Sequence, residues 1–214
     1  AIVIGTGDTK YGFRLNSDVK RGNFKMGESV SYSRWESDLE ASSGFPSMYQ
    51  VTNIEPLTFV YDKNNDGGYG GAIAGMGMSD AANVVGYNKL VENTAANDYI
   101  AASGYLQYEP IKDLVLKFKA SRNIYFGSSR NFTPNYELSM MKENNRASLY
   151  EERTKTMSDL LEFTANWNKT FLQKHSVQAL FGMSQEENRY DGINASGKKF
   201  ENTEMSLLGQ AQED

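Results

Sequence analysis

Cysteine is absent from this chain of 214 residues, which excludes disulfides and thiolate metal sites and leaves the compartment open. Histidine is nearly absent as well. The one histidine, His175, rules out histidine-rich metal centres, and a Ser/His/Asp triad would have to be built around it. It stands between Lys174 and Ser176, in a string that reads as a solvated turn. No run of eighteen apolar residues occurs, so no membrane-crossing helix is encoded. The opening AIVIGTGDTK also lacks the basic-then-apolar layout of a secretion signal, so the chain reads as processed or as an internal stretch. A basic stripe is missing too. With a formal charge of −5 and cations scattered among acids, the composition points away from nucleic acid. Mean hydropathy is −0.58, polar for a domain that must bury its own core. The apolar residues therefore have some destination other than a dry interior.

What is plentiful is glycine (19), tyrosine (13) and phenylalanine (11), the combination of turns and β-favouring aromatics found in all-β chains. The pattern agrees. Phe13, Leu15 and Val19 occupy one parity while Arg14, Asn16, Asp18 and Lys20 occupy the other. After a tight turn at Arg21, Gly22 and Asn23, Phe24, Met26, Val30 and Tyr32 alternate with small polar residues, Glu28 alone breaking the apolar side. A second pair follows. Ala102, Gly104, Leu106 and Tyr108 lead into a Glu109-to-Asp113 turn, and Leu114, Leu116, Phe118 and Ala120 then oppose Lys117, Lys119 and Ser121. In the third pair, Leu161, Phe163, Ala165 and Trp167 oppose Glu162, Thr164, Asn166 and Asn168, and Val177, Ala179, Phe181 and Met183 form the returning side. Six strands are predicted, at residues 11–20, 24–34, 99–109, 113–123, 158–170 and 175–186, paired antiparallel as three hairpins.

Between the hairpins the periodicity disappears over residues 36–97, 124–156 and 188–214, far longer than ordinary connections. Such loops are usually functional or disordered. Residues 139–153 within the second are expected to hold a short helix. Short turns at one end and long loops at the other are the rhythm of a transmembrane β-barrel wall, whose apolar side meets lipid and whose polar side lines a wet lumen. Aromatics at both strand ends fit the interfacial belts of such a wall: Tyr32, Trp35, Tyr99, Tyr125 and Phe126 towards the loops, and Phe24, Tyr108, Trp167 and Phe171 towards the turns. A soluble β-sandwich also alternates, but its apolar side packs on a second sheet.

Candidate sites lie in the loops. Tyr49, Tyr61, Tyr69 and Tyr87 could present rings and hydroxyls to a glycan or a partner, or could anchor the loop on itself. Asp62, Asn64, Asp66 and Gly67 spell the first half of a calcium loop, yet the twelfth place is Ile73, without the bidentate carboxylate. A glycine-rich turn is the simpler reading there. Gly5 and Gly7 hint at a dinucleotide turn, but Lys10 stands where a third glycine belongs. No catalytic constellation, metal centre or cofactor site is indicated.

Several strings carry a family resemblance. Arg14-Leu15-Asn16-Ser17-Asp18, the strand end Tyr32-Ser33-Arg34, and Val60-Tyr61-Asp62 with its glycines resemble the early barrel of SusC-like (RagA/SusC) TonB-dependent transporters of the Bacteroidetes outer membrane. Tyr105 through Leu114 (YLQYEPIKDL) and Trp167 to Phe171 with His175, Ser176, Leu180 and Gly182 are similar to two further hairpins of that family. The resemblance implies a large barrel with an internal plug, energised by TonB, capped by a SusD-like lipoprotein and importing oligosaccharides or peptides. It implies no enzyme. The chain would then be an internal part of the barrel, set in a lipid bilayer. A soluble all-β carbohydrate-binding module is the alternative reading, and a glycosidase fragment is the weakest, since no carboxylate pair stands out.

Overall fold

A computed structural model describes residues 3–41, 47–73, 76–78, 81, 83–139, 142–200 and 206–213. Its strands are β1 (Gly7–Arg21), β2 (Phe24–Asp38), β3 (Glu92–Ile111), β4 (Leu114–Thr133), β5 (Tyr136–Ser139), β6 (Lys142–Asn144), β7 (Ser148–Phe171), β8 (His175–Phe200) and β9 (Ala211–Glu213). Two seven-residue helices, α1 (Ser47–Asn53) and α2 (Val84–Leu90), lie between β2 and β3. Seven strands form one antiparallel meander in the order β1-β2-β3-β4-β7-β8-β9, and β5–β6 is a separate ribbon. Among the described residues, the strands of this sheet follow one another in chain order.

The three predicted hairpins are β1–β2, β3–β4 and β7–β8, joined at one end of the sheet by short turns. Gly22 (φ 59°) and Asp113 (φ 75°) supply the left-handed residues of the first two, and Leu172 (φ 49°) and Gln173 (φ 60°) those of the third. His175 is the exposed first residue of β8.

At the opposite end the strands run well past the expected limits. Residues 92–97, 124–133, 148–156 and 188–200 are ladder where loop was expected, so the loops shrink to 39–91, 134–147 and the stretch after Phe200. The apolar alternation stops there but the pairing does not. Polar cross-strand contacts take over: Tyr32 donates to Asp98 (2.6 Å), Arg34 reaches the same carboxylate (3.2 Å), and Arg130 lies between Glu92 (3.6 Å) and Glu151 (3.5 Å). The helix expected over 139–153 is also replaced, by the β5–β6 ribbon and the start of β7. Ala147 and Leu149 are buried and Tyr150 exposed, a period of two that no helix provides.

The core is small and sits at the loop end. Phe132, Ala147, Leu149 and Phe200 form it, with Leu208 and Ala211 against them and the two phenylalanine rings edge to face at 5.8 Å. None of the buried apolar residues belongs to the turn-side half of the sheet. There Leu15 is 68 % exposed and Phe181 62 % exposed.

Candidate functional site

Directly paired residues of an antiparallel sheet point to the same face, so the register fixes which side chains share a surface. Val19, Met26, Leu106, Phe118, Phe163 and Met183 form one continuous row across six strands, and Phe24, Tyr108, Leu116, Ala165 and Phe181 form the next. Leu15 and Trp167 share this parity. The opposite face carries Arg14, Lys117, Lys119, Glu162 and Asn166, with Lys119 ion-paired to Glu162 at 3.0 Å. The sheet therefore has one greasy and one wet side, and no second layer covers the greasy one among the described residues.

On β4 the apolar parity runs from Leu114 to Phe126, about 40 Å of strand, or about 30 Å at a tilt of about 45°. That is a bilayer's hydrocarbon thickness. Phe24 stacks on Tyr108 at 4.5 Å and Trp167 meets Phe171 edge-on at 6.1 Å, making an aromatic edge on the turn side. The belt expected at the loop end is divided between faces. Tyr32 and Phe126 lie on the apolar parity, whereas Trp35, Tyr99 and Tyr125 lie on the polar one, where Tyr125 donates to Asn97 and the Trp35 indole donates to Asp8 at 2.9 Å. Ser37 (2.6 Å) and Trp35 together hold the Asp8 carboxyl below its ordinary pKa.

Charges interrupt the greasy face, Glu28, Glu187 and Arg189 as well as one close ion pair. Arg122 grips Asp159 through both guanidinium contacts, at 2.5 and 2.8 Å, in the row that also holds Leu15, Val30, Ala102 and Glu187. Sequence parity had placed neither residue among the wall's functional positions.

Above the sheet, the first loop folds onto the ribbon of the second. Asn83 is the joint: it is buried, its Oδ1 accepts from Gly86 N to cap α2, and its Nδ2 donates to Val60 O (2.7 Å) and Gly70 O (3.0 Å). Asn65 donates to Tyr69 O and Leu138 O, and Glu137 N donates to Asp66 O, tying the two loops together around buried Leu138. Of the four candidate tyrosines, Tyr61 and Tyr69 are brought together, bridged through their backbones with rings 5.5 Å apart. Tyr87 instead meets Tyr136 edge-on at 5.7 Å, and Tyr49 lies exposed on α1. Tyr136 and Leu138 carried no signal in the sequence, because their role depends on a contact between two loops about seventy residues apart. The Asp62 stretch is a closed turn. Asp62 Oδ1 accepts from the backbone and side chain of its own Asn64, and no acid cluster able to hold a metal occurs among the described residues.

Burial pushes the Tyr87 phenol up to about 12, with Tyr136 beside it adding to the shift. Because the raised value favours the neutral form, the loop packing is intact below the ordinary tyrosine pKa of about 10 and loosens as pH rises towards about 12. An absorbance titration of tyrosinate is expected to show a late component that Tyr87→Phe removes. If that variant titrates like the parent, Tyr87 is not buried between the loops.

No family model matches the chain, and no curated protein matches it. Solved structures do. A structure of the RagAB peptide transporter superposes with a TM-score of 0.74 at 20 % identity, covering 98 % of this chain and 24 % of that one. The RagAB peptide importer in its open-open state gives 0.74 at 22 % identity and in its closed-closed state 0.71 at 20 %, each over 98 % of this chain and 23 % of that one. The chain thus spans about a quarter of the length of the structures it matches. The fold is the hairpin-built antiparallel barrel wall expected from the sequence.

Proposed function

We propose that this chain is a segment of the wall of an outer-membrane, TonB-linked nutrient importer of the SusC-like kind, working with a SusD-like lipoprotein and not as an enzyme. The observation that carries the reading is the uncovered apolar face, bilayer-high and backed by a hydrated face. A soluble protein would have to cover that face, since contiguous apolar patches of such extent are rare on soluble surfaces. A soluble carbohydrate-binding module would need a second layer here. In the barrel reading the loops 39–91 and 134–147 stand outside the cell, where Tyr49, Tyr61, Tyr69 and Tyr87 meet the nutrient or the lipoprotein. Likeness to a peptide transporter makes peptides the first nutrient class to test, with oligosaccharides the second.

Because this stretch has no native cysteine, single thiols report facing directly. In the whole membrane-embedded protein, Phe118→Cys is expected to react with a lipid-phase probe and resist a charged maleimide, while Lys117→Cys is expected to do the reverse once the membrane is opened. Rapid labelling of Phe118→Cys from water would sink the barrel reading and favour the soluble module.

A further inference from the structure

Where the apolar run of β4 ends at Phe126, a groove of about 460 Å³ crosses β3, β4, β7 and β8. Ala96 and Ser128 are the small residues of its lining, while Phe126, Arg153, Lys155 and Asp191 bring aromatic and charged groups to it. The register puts all six on the apolar parity, the side that meets lipid in the barrel reading. The next row of this face towards the turns holds Ile100, Ile124 and Met157.

Three charged groups of the groove have no ionic partner among the described residues. Lys155 and Asp191 are directly opposite across β7 and β8, a placement in which unlike charges attract. They do not meet. The Lys155 ammonium lies over the Phe126 ring instead, 5.7 Å from its centre, and Asp191 accepts no hydrogen bond and forms no ion pair. Arg153, two residues along β7 on the same face and so about 7 Å away, donates to the Glu152 carbonyl at 3.2 Å. The other charges nearby are already matched. Tyr32 and Arg34 hold Asp98 at 2.6 and 3.2 Å, Arg34 also takes Glu36 at 2.7 Å, Arg130 takes Glu151 at 3.5 Å, and Arg189 turns to Glu187 at 2.7 Å.

We infer that this groove seats the headgroup of a membrane lipid carrying both phosphate and ammonium, the phosphate between Arg153 and Lys155, the ammonium at Asp191, and an acyl chain passing over Ile124 and Met157. The inference rests on the barrel reading and adds a ligand for the outward face. Two cations beside one anion fit a zwitterion: a purely anionic headgroup would be repelled by Asp191, and a purely cationic one would leave both bases unmet. Height selects a lipid, since the groove opens where the bilayer-high apolar run gives way to charge, the level of the headgroups.

The test is native mass spectrometry of the whole protein in detergent, after it has passed the thiol-facing assay above, so that failure of the barrel reading is recognised separately. Phosphatidylethanolamine and lipid A bearing phosphoethanolamine share the required chemistry, and they are added in separate arms against phosphatidylglycerol and lipid A without phosphoethanolamine. At least one zwitterionic lipid is expected to be retained several-fold better than its anionic counterpart, and the arm in which this happens identifies the source. The Arg153→Gln, Lys155→Gln double variant should lose that retention, whereas Asp191→Asn should lose the preference by letting the anionic counterpart bind as well. Lys119→Gln, a charge lost from the wet face, should change neither, and the heat-modifiable gel shift checks that each variant is folded. Equal retention of zwitterionic and anionic lipids by the parent would overturn the inference. So would an unchanged preference in Asp191→Asn, an equal loss in Lys119→Gln, or displacement by water-soluble glycerophosphoethanolamine at the concentration of the lipid.

Discussion

Phe118→Arg is expected to destabilise the membrane-inserted wall by about 2–4 kcal/mol, the cost of a cation near the middle of the bilayer. Phe118 is central in the apolar row and pairs with Leu106 on one side and Phe163 on the other, so the new charge could reach water only by leaving that row. Lys119→Gln, one residue along and on the other face, breaks a half-exposed pair with Glu162 and is expected to cost under about 1 kcal/mol. Urea titration of the protein folded into vesicles, with the heat-modifiable gel shift as a second readout, measures both. Equal losses for the two variants would mean that the faces are not lipid and lumen.

Removing residues 67–77 is expected to abolish growth on the cognate nutrient while leaving the barrel in the membrane. These residues bear the contacts that join the loops: Gly70 packs under Phe59, and a Cβ at Gly71 would meet Leu138 O at 2.4 Å. Without them Asn65 and Leu138 lose the surface they hold together, and Tyr61 and Tyr69 lose their pairing. The ladders below do not depend on that packing, because their hydrogen bonds run strand to strand from the turns to Thr133 and Phe200. Growth and lipoprotein pull-down are the readouts. A deletion strain that imports normally and still co-purifies with its lipoprotein would make the glycine-rich stretch a plain linker.

The hairpins and their facing were legible in the sequence because both rest on a period of two. Leu116, Lys117, Phe118 and Lys119 can satisfy an apolar and a wet surface at once only as a strand. The upper ladders were not legible for a related reason. Over residues 127–131 and 151–156 both faces are polar, and what continues the strand is a set of partners brought from distant segments, such as Arg130 with Glu92 and Glu151. Asn83 was hidden within the first long loop, because its hydrogen bonds to Val60 and Gly70 are tertiary. The loop tyrosines were legible as aromatics and not as pairs: Tyr61 with Tyr69 is a local bridge, whereas Tyr87 with Tyr136 depends on two loops meeting.

Strand length has a mechanical consequence. A bilayer crossing uses about 9–11 residues of tilted strand, while β8 runs from His175 to Phe200, about 80 Å of chain. In the proposed barrel, much of that ladder would stand clear of the hydrocarbon as a stiff collar. The tyrosine-bearing loops would then be carried on hydrogen-bonded scaffolding above the lipid surface, at a height set by strand length. Shortening β2, β3, β4 and β7 in matched pairs, with every loop residue kept, would lower the same loops towards the membrane.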